Sequence, residues 1–146
     1  MKQHEPVGFL IGALRRRLKQ LTAGLAQPYG LTPQQFWIVV GIARTDGVSL
    51  RDLSERRRMD TPTASRIVDV LVRRGIVKNE TDPDDRRRAR LVLTASGRAL
   101  AKKLLPVADG IRTTVESVLT KTERNAVVSG LEKILTKLDD HARRAR

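Results

Sequence analysis

The stretch between Leu50 and Leu93 constrains the fold of this chain more than any other part of the sequence. It predicts a short helix, a second helix that begins at Asp60-Thr61-Pro62, a glycine stop, and a hairpin. The tip of the hairpin is the polar run Asp82-Pro83-Asp84-Asp85-Arg86-Arg87-Arg88. This order of elements is typical of a winged helix-turn-helix, in which the second helix enters a DNA major groove and the hairpin reaches the neighbouring minor groove. The sequence therefore predicts a DNA-binding regulator.

Capping signals mark where the helices of this region begin. Thr32-Pro33-Gln34-Gln35 combines an N-cap threonine, a proline at the first helical position and a glutamine at the third. Ser49, followed by Asp52, predicts the start of a third helix from about Leu50 to Arg57. Asp60 can accept a hydrogen bond from the Thr63 amide and so begin the fourth helix. Val48 is expected to form a one-residue strand, and Ile76–Thr81 and Arg90–Leu93 the two hairpin strands.

The fourth helix has an apolar stripe and an opposite polar face. Ala64, Ile67, Val68, Leu71 and Val72 form the stripe. The polar face predicts the DNA-reading surface, because small hydroxyl residues allow close approach and an arginine can bond guanine in bidentate fashion. A solvated helix face without function is the alternative. The predicted recognition residues are Thr61, Pro62, Thr63, Ser65 and Arg66.

Arginines supply the other predicted DNA contacts. Arg86, Arg87 and Arg88 at the hairpin tip are expected to enter the minor groove, with Asp85 bracing the loop, because a narrow minor groove concentrates negative potential. A solvated loop is again the alternative. Phosphate contacts are predicted for Arg56, Arg57, Arg58 and Arg73.

Composition favours a polyanionic partner and argues against several other classes. The 29 Lys and Arg against 16 Asp and Glu give a formal charge of +13, which attracts nucleic acid. There is no cysteine, which excludes disulfides, and the two histidines, His4 and His141, lie near opposite ends. No catalytic set, cofactor motif or metal site is predicted, since Asp82, Asp84 and Asp85 are more typical of a turn than of a cation site.

Three segments, Asp85–Gly97, Thr63–Leu71 and Tyr29–Thr32, resemble the MarR family of bacterial and archaeal transcription regulators. The run from Asp85 to Gly97 is similar to the family's Asp-x-Arg-x-x-x-Leu-x-Leu-Thr-x-x-Gly wing signature. The run Thr63-Ala64-Ser65-Arg66-Ile67-Val68-Asp69-x-Leu71 resembles its recognition helix, and Tyr29-Gly30-Leu31-Thr32 also fits. The resemblance implies a homodimer with two winged lobes on a pseudo-palindromic operator, with release by a small phenolic or anionic ligand in many members. Arg56-Arg57-Arg58 departs from the family by being more basic than the usual link.

Helices outside the winged lobe predict a dimer interface. We expect a mainly α fold with a small β-hairpin wing, divided into a dimerisation helix (1–30), the DNA-binding lobe (31–98) and C-terminal dimerisation helices (99–146). Thr94 is expected to cap a long helix that carries Leu100, Leu104, Ile111, Val115 and Val118, and Thr120 with Glu123 to begin the last one. Their apolar stripes exceed what one small lobe can cover, although an intramolecular three-helix bundle is the alternative. The predicted dimer contacts are Ile11, Leu14, Leu18, Leu131, Leu135 and Leu138.

A non-specific architectural DNA- or RNA-binding protein is the closest rival function, since basicity alone serves either role. An RNA binder would usually show exposed stacking aromatics, whereas Phe9, Tyr29, Phe36 and Trp37 are few and mostly in positions expected to be buried. The same scarcity argues against a stacked effector. Neither the apolar run from Phe36 to Ala43 nor the start Met1–Glu5 suggests a membrane span or a signal sequence, so a cytoplasmic protein is expected.

Overall fold

The computed structural model describes residues 4–146, so residues 1–3 of the start considered above lie outside the described part. It confirms a mainly α fold with a two-stranded antiparallel hairpin. Among the described residues, no helix is long and apolar enough to pass through a membrane. The elements in order are α1 (Val7–Ala26), a 3₁₀ turn (Gln27–Tyr29), α2 (Pro33–Ala43), α3 (Leu50–Arg56), α4 (Thr61–Arg73), β1 (Val77–Thr81), β2 (Ala89–Leu93), α5 (Ala95–Glu116) and α6 (Lys121–Arg144).

The predicted caps are present at the helix starts. Thr32 and Gln35 form a capping box before α2, and Thr120 and Glu123 form another before α6. Ser49 accepts from the Asp52 amide at the start of α3. Each of these bonds satisfies a backbone N–H that has no partner within its own helix. Local sequence therefore fixes these boundaries.

The hairpin is joined to the helices at its base. β1 and β2 pair in the register Val77 with Leu93 and Thr81 with Ala89. Val48 forms the predicted one-residue strand: its amide donates to the Leu91 carbonyl at 3.2 Å, and the Leu91 amide donates back at 2.7 Å. The turn between α2 and α3 is thus part of the same small sheet as the wing.

The buried core lies between α2, α3, α4 and the base of the hairpin. Phe36, Ile38 and Ile42 of α2 are almost fully buried. Leu53 from α3 and Leu71 from α4 are equally buried. Burying side chains of this size contributes roughly 1.5–3 kcal/mol each. The polar face of α4 and the wing tip therefore project from a rigid support.

The chain forms two compact units, divided between Ala108 and Asp109. The first contains the winged lobe together with α1 and most of α5, and the second contains the end of α5 and all of α6. The expectation that α5 carries Val118 is wrong, because the helix ends at Glu116 and Val118 lies 78% exposed in the following turn. The predicted division at residues 30 and 98 stays a prediction.

Candidate nucleic-acid interface

The polar face of α4 is exposed along its first two turns. Ala64, Val68 and Leu71 on the opposite side are buried, which orients the helix. Of the predicted recognition residues, Thr61, Pro62 and Arg66 are exposed, and Thr63 and Ser65 are half-buried. Pro62 lies in the first turn, where its missing N–H leaves no broken bond. The side chains on this face are therefore small near the helix start, and a basic side chain follows about one turn later.

Three polar side chains are linked at the start of α4. The Asp60 carboxylate accepts from the Thr63 amide and from the Thr63 hydroxyl, both at 2.8 Å. The Thr63 hydroxyl in turn accepts from Arg66 Nη2 at 3.4 Å. These bonds, with the backbone bond from Thr63 as the largest cause, lower the pKa of Asp60. The Thr63 hydroxyl proton is engaged in the cap, so Ser65 and Arg66 are better placed to bond a base.

The wing tip is held by its own aspartates. The Asp82 carboxylate accepts from the Asp84 amide at 2.9 Å, and the Asp85 carboxylate accepts from the Arg87 amide at 3.0 Å. Asp85 also lies 3.8 Å from Arg88 Nε in an exposed ion pair. The side chains of Arg86, Arg87 and Arg88 extend from a loop whose backbone is shaped by Asp82 and Asp85.

The three consecutive arginines after α3 have different environments. The Arg57 guanidinium lies 5.2 Å from the centre of the Trp37 ring, and desolvation followed by repulsion from Arg44 lowers its pKa. Arg58 has a positive φ of 49°. Arg56 is exposed in the last turn of α3. All three arginines are exposed, and Arg57 is in addition partly used in packing against Trp37, so Arg56 and Arg58 offer more of their charge to a phosphate.

Two arginines outside the predicted set tie elements of the lobe together. Arg74, next to the predicted and exposed Arg73, donates to the Gly30 carbonyl at 2.9 Å. Arg90 on β2 donates to Glu80 Oε2 and to the Asp46 carbonyl, both at 3.2 Å. The Arg74 contact joins residues far apart in the chain and has no local signal. The pairing of Arg90 with Glu80 could have been found from the hairpin register, because the two are directly cross-strand partners.

The predicted dimer residues lie on helices with large exposed apolar side chains. On α1, Leu14 is 48% exposed, and Ile11 and Leu18 are half-buried. On α6, Leu138 is 60% exposed, Leu135 is also exposed, and Leu131 is half-buried. No residue of α6 is buried. Each helix thus presents apolar surface of the kind that a partner covers.

The arrangement suits binding rather than catalysis. An exposed polar helix face and an arginine-rich loop belong to one compact unit, which is what contact with two grooves of one duplex requires. Within residues 4–146, no three His, Asp or Glu side chains are grouped closely enough to hold a metal ion.

Sequence comparisons relate the chain to known regulators. A sequence model described as the MarR family matches residues 29–88, which include α2, α3, α4, β1 and the wing tip. The HTH-type transcriptional repressor NicR of Pseudomonas putida is 30% identical over 129 residues, which cover 86% of this chain and 82% of NicR.

Solved structures share the same fold. The Bordetella bronchiseptica regulator BpsR, whose DNA binding is regulated by 6-hydroxynicotinic acid, is 28% identical with a TM-score of 0.74, and the match covers 92% of this chain and 97% of BpsR. MepR of S. aureus, solved in complex with DNA, is similar at a TM-score of 0.78 and 22% identity, over 92% of this chain and 99% of MepR. The latter likeness concerns the fold alone.

Proposed function

The chain belongs to the MarR family of DNA-binding transcriptional regulators, and from this premise we propose that it is a repressor that binds a pseudo-palindromic operator as a homodimer. The observation that supports this most is the exposed polar face of α4 in the same compact unit as an arginine-rich wing. A helix anchored by its apolar side, with its other side free, is suited to lie in a major groove.

Base reading is assigned to the start of α4. Ser65 and Arg66 are proposed to contact base edges, with Thr61, Pro62 and Thr63 shaping the approach to the duplex. The bond from Arg66 to Thr63 at 3.4 Å is long, so exchange for a bidentate contact with guanine costs little.

Phosphate and minor-groove contacts are assigned to the arginines around this helix. Arg56, Arg58 and Arg73 are exposed and are proposed to bind phosphates, with Arg57 contributing less because it packs on Trp37. Arg86, Arg87 and Arg88 are proposed to reach the minor groove, with Asp85 holding the loop. Contacts of this kind position the protein without specifying sequence.

Dimerisation is assigned to the apolar side chains of α1 and α6. Two-fold symmetry would place the two α4 helices about 34 Å apart, one turn of DNA. A sedimentation experiment at micromolar concentration is expected to give about twice the chain mass of 16.3 kDa. A monomer under those conditions would contradict the dimer and would favour burial of both helices within one chain.

A small anionic ligand is proposed to release the protein from DNA. The support is the relationship to BpsR, which is regulated by 6-hydroxynicotinic acid. Adding 6-hydroxynicotinic acid to a protein–DNA complex is expected to weaken the binding of DNA. Benzoate, which carries a carboxylate on an unsubstituted ring, is tested beside it for comparison. Unchanged DNA affinity with both acids would remove this part of the proposal only. Since the proposed target is chromosomal DNA, we expect the protein to work in the cytoplasm.

Selection of DNA by the purified protein tests the central proposal. Sequencing the selected duplexes is expected to give inverted half-sites, and the best duplex should bind at least about 10³-fold more tightly than random duplex in moderate salt. Near-equal affinities would instead favour a non-specific architectural protein.

Two substitutions separate reading from positioning. Ser65→Ala and Arg66→Ala should weaken the selected site by about 1–3 kcal/mol for a lost base contact and affect random DNA much less. Arg112→Ala is the matched control, because it removes one exposed arginine outside the proposed interface. Equal losses on both duplexes would show that Ser65 and Arg66 do not read bases.

A further inference from the structure

Arg90 makes two contacts that join the wing to a different part of the lobe. Its Nη2 donates to Glu80 Oε2 on the facing strand, and its Nη1 donates to the backbone carbonyl of Asp46, in the turn between α2 and α3. The same Glu80 carboxylate pairs with Lys78 at 3.3 Å. Bonds from Arg90 and then Lys78 lower the pKa of Glu80, so the carboxylate is ionised at neutral pH. One guanidinium thus bridges both wing strands and the α2–α3 turn.

The surroundings of Arg90 show that its side chain is largely packed and only partly exposed to solvent. Its side chain is 26% exposed, whereas that of Arg88 at the wing tip is 75% exposed. Its Nε is buried without a hydrogen-bond partner. A Cβ at Gly47 would lie 2.6 Å from Arg90 Cδ, and Gly47 has a φ of +96°. The turn therefore adopts a conformation suited to glycine and leaves room for the Arg90 stem.

Because Arg90 lies on β2 between the base and the tip of the wing, its contacts can limit how far the wing pivots. The Val48–Leu91 bridge holds the base of the wing, and Arg90 extends that attachment by one residue towards the tip. Arg87 lies four residues beyond the bridge and past the end of β2, so it is at most roughly 13 Å away, the length of four extended residues. A pivot of about 10° at the bridge would then move the tip by roughly 2 Å, enough to break a hydrogen bond of about 3 Å.

We propose that Arg90 is a positioning residue, which fixes the wing for DNA binding by clamping it to the α2–α3 turn through Glu80 and the Asp46 carbonyl. This inference rests on the proposed contact of the wing with DNA. In this role Arg90 contributes to affinity without touching the duplex, because a wing that is already fixed loses less conformational freedom on binding.

A substitution at Glu80 tests the clamp, because the clamp and simple charge predict opposite changes in DNA affinity. Glu80→Met removes a negative charge from a DNA-binding protein, so charge alone predicts equal or tighter binding. The clamp predicts the opposite, a loss of about three- to tenfold on the selected duplex, because ordering a loop and its side chains costs affinity on that scale. Asp84→Asn is the matched control at the wing tip, and it should leave affinity equal or higher. Tighter binding by the Glu80 variant would overturn the proposal.

A double-mutant cycle identifies the route by which Arg90 acts. Arg90→Met should weaken binding by a similar factor in the wild-type protein and have little further effect in a background that carries Arg86→Ala, Arg87→Ala and Arg88→Ala together. Arg90→Lys keeps the charge but replaces the two-pronged guanidinium with a single ammonium nitrogen, which cannot hold both acceptors in the same geometry, so it should lose most of the same affinity. A full loss from Arg90→Met in both backgrounds, or wild-type affinity for Arg90→Lys, would show that Arg90 acts through its own charge.

The cycle also separates this inference from the proposed function. If that triple substitution leaves DNA affinity and its salt dependence unchanged, the proposed role of the wing is wrong, and the clamp with it. If it weakens binding but Glu80→Met and Arg90→Met do not, only the clamp is wrong. Thermal unfolding of each variant shows whether the lobe is intact, and Glu80→Met, at a half-exposed position, decides the case if Arg90→Met does not fold.

Discussion

Substitution of glycine by alanine is expected to have opposite effects at two positions of α5. Gly97 is buried in the first turn, and a Cβ there would lie 2.0 Å from the backbone oxygen of Ile76 and 3.3 Å from Leu93 Cβ. At Gly110 no heavy atom of the described residues, apart from its own helix backbone and chain neighbours, lies within 4 Å of the same position. The two sites share a helix and differ in what the new methyl group meets.

The magnitudes follow from these distances. A carbon atom approaches a carbonyl oxygen no closer than about 3.3 Å in ordinary contacts, so Gly97→Ala must separate α5 from Ile76 by more than about 1 Å. That separation would stretch the 3.0 Å bond from the Thr94 amide to the Ile76 oxygen. Overpacking costs about 1–3 kcal/mol, and because backbone cannot rotate away we expect at least 2 kcal/mol of destabilisation. Gly110→Ala should instead stabilise by about 0.5–1 kcal/mol, the helix-propensity gain.

Urea unfolding at one fixed protein concentration measures both effects. With an m-value of about 2 kcal/mol/M, the midpoint should fall by about 1 M for Gly97→Ala and rise by a few tenths of 1 M for Gly110→Ala. A wild-type or higher midpoint for Gly97→Ala would refute the reasoning, because it would mean that the Ile76 carbonyl yields without cost. A raised midpoint for Gly110→Ala shows that the assay resolves effects within α5.

Three further outcomes are expected. Arg87→Ala in both subunits should reduce the slope of log binding constant against log salt concentration by up to about two units and change folding stability by less than about 0.5 kcal/mol. A large loss of thermal stability at an unaltered salt slope would show instead that Arg87 is a structural brace. Arg58→Gly should stabilise the lobe by up to about 1 kcal/mol, because Arg58 has a φ of 49°, a backbone conformation that glycine adopts more easily. The same substitution should weaken DNA binding. A lower midpoint of thermal unfolding would contradict the expected stabilisation. Acidification below about pH 4.5, the ordinary pKa of a glutamate, should destabilise the fold, because bonds from Thr120 lower the folded-state pKa of Glu123. The stabilisation that the Glu123 carboxylate gives to the fold is complete above its unfolded-state pKa and is lost as the pH falls through its folded-state pKa. Glu123→Gln should reduce that acid dependence in a pH series of thermal unfolding, and an identical profile would contradict the assignment.

Helix starts and the hairpin could be predicted because their signals are local. A cap such as Ser49 or Asp60 bonds an amide three residues away, so the residue type and its spacing are sufficient evidence. Val48 is also predicted to form a one-residue strand, but its partner Leu91 is 43 residues away and is identified only by the fold. The end of α5 was placed too late, because Val115 and Val118 continue the apolar spacing, whereas the helix stops at Glu116 before the Thr120 cap.

The roles of individual arginines could not be predicted from their positions in the sequence. Arg56, Arg57 and Arg58 are adjacent and chemically identical, yet one stacks on Trp37 and another has a left-handed backbone. Trp37 is twenty residues from Arg57, so this contact exists only once α2 and α3 have packed. The bond from Arg74 to Gly30 is a contact of the same kind across 44 residues. The charge composition therefore predicts a polyanionic partner but does not predict which arginine side chains are available to contact it.

The segment that joins β2 to α5 explains why the Leu-Thr-x-x-Gly pattern has physical meaning in this chain. The Thr94 hydroxyl accepts from the Gly97 amide and donates to the Gly75 carbonyl, at the end of α4, and Ser96 donates to the same carbonyl. The Thr94 amide bonds Ile76, just before β1, and the absence of a Cβ at Gly97 lets α5 lie against that carbonyl. The end of the proposed recognition helix, the base of the wing and the start of α5 thus meet within a few hydrogen bonds. Because each of these bonds involves a backbone atom, α5 cannot shift at its start without moving both elements proposed to hold DNA.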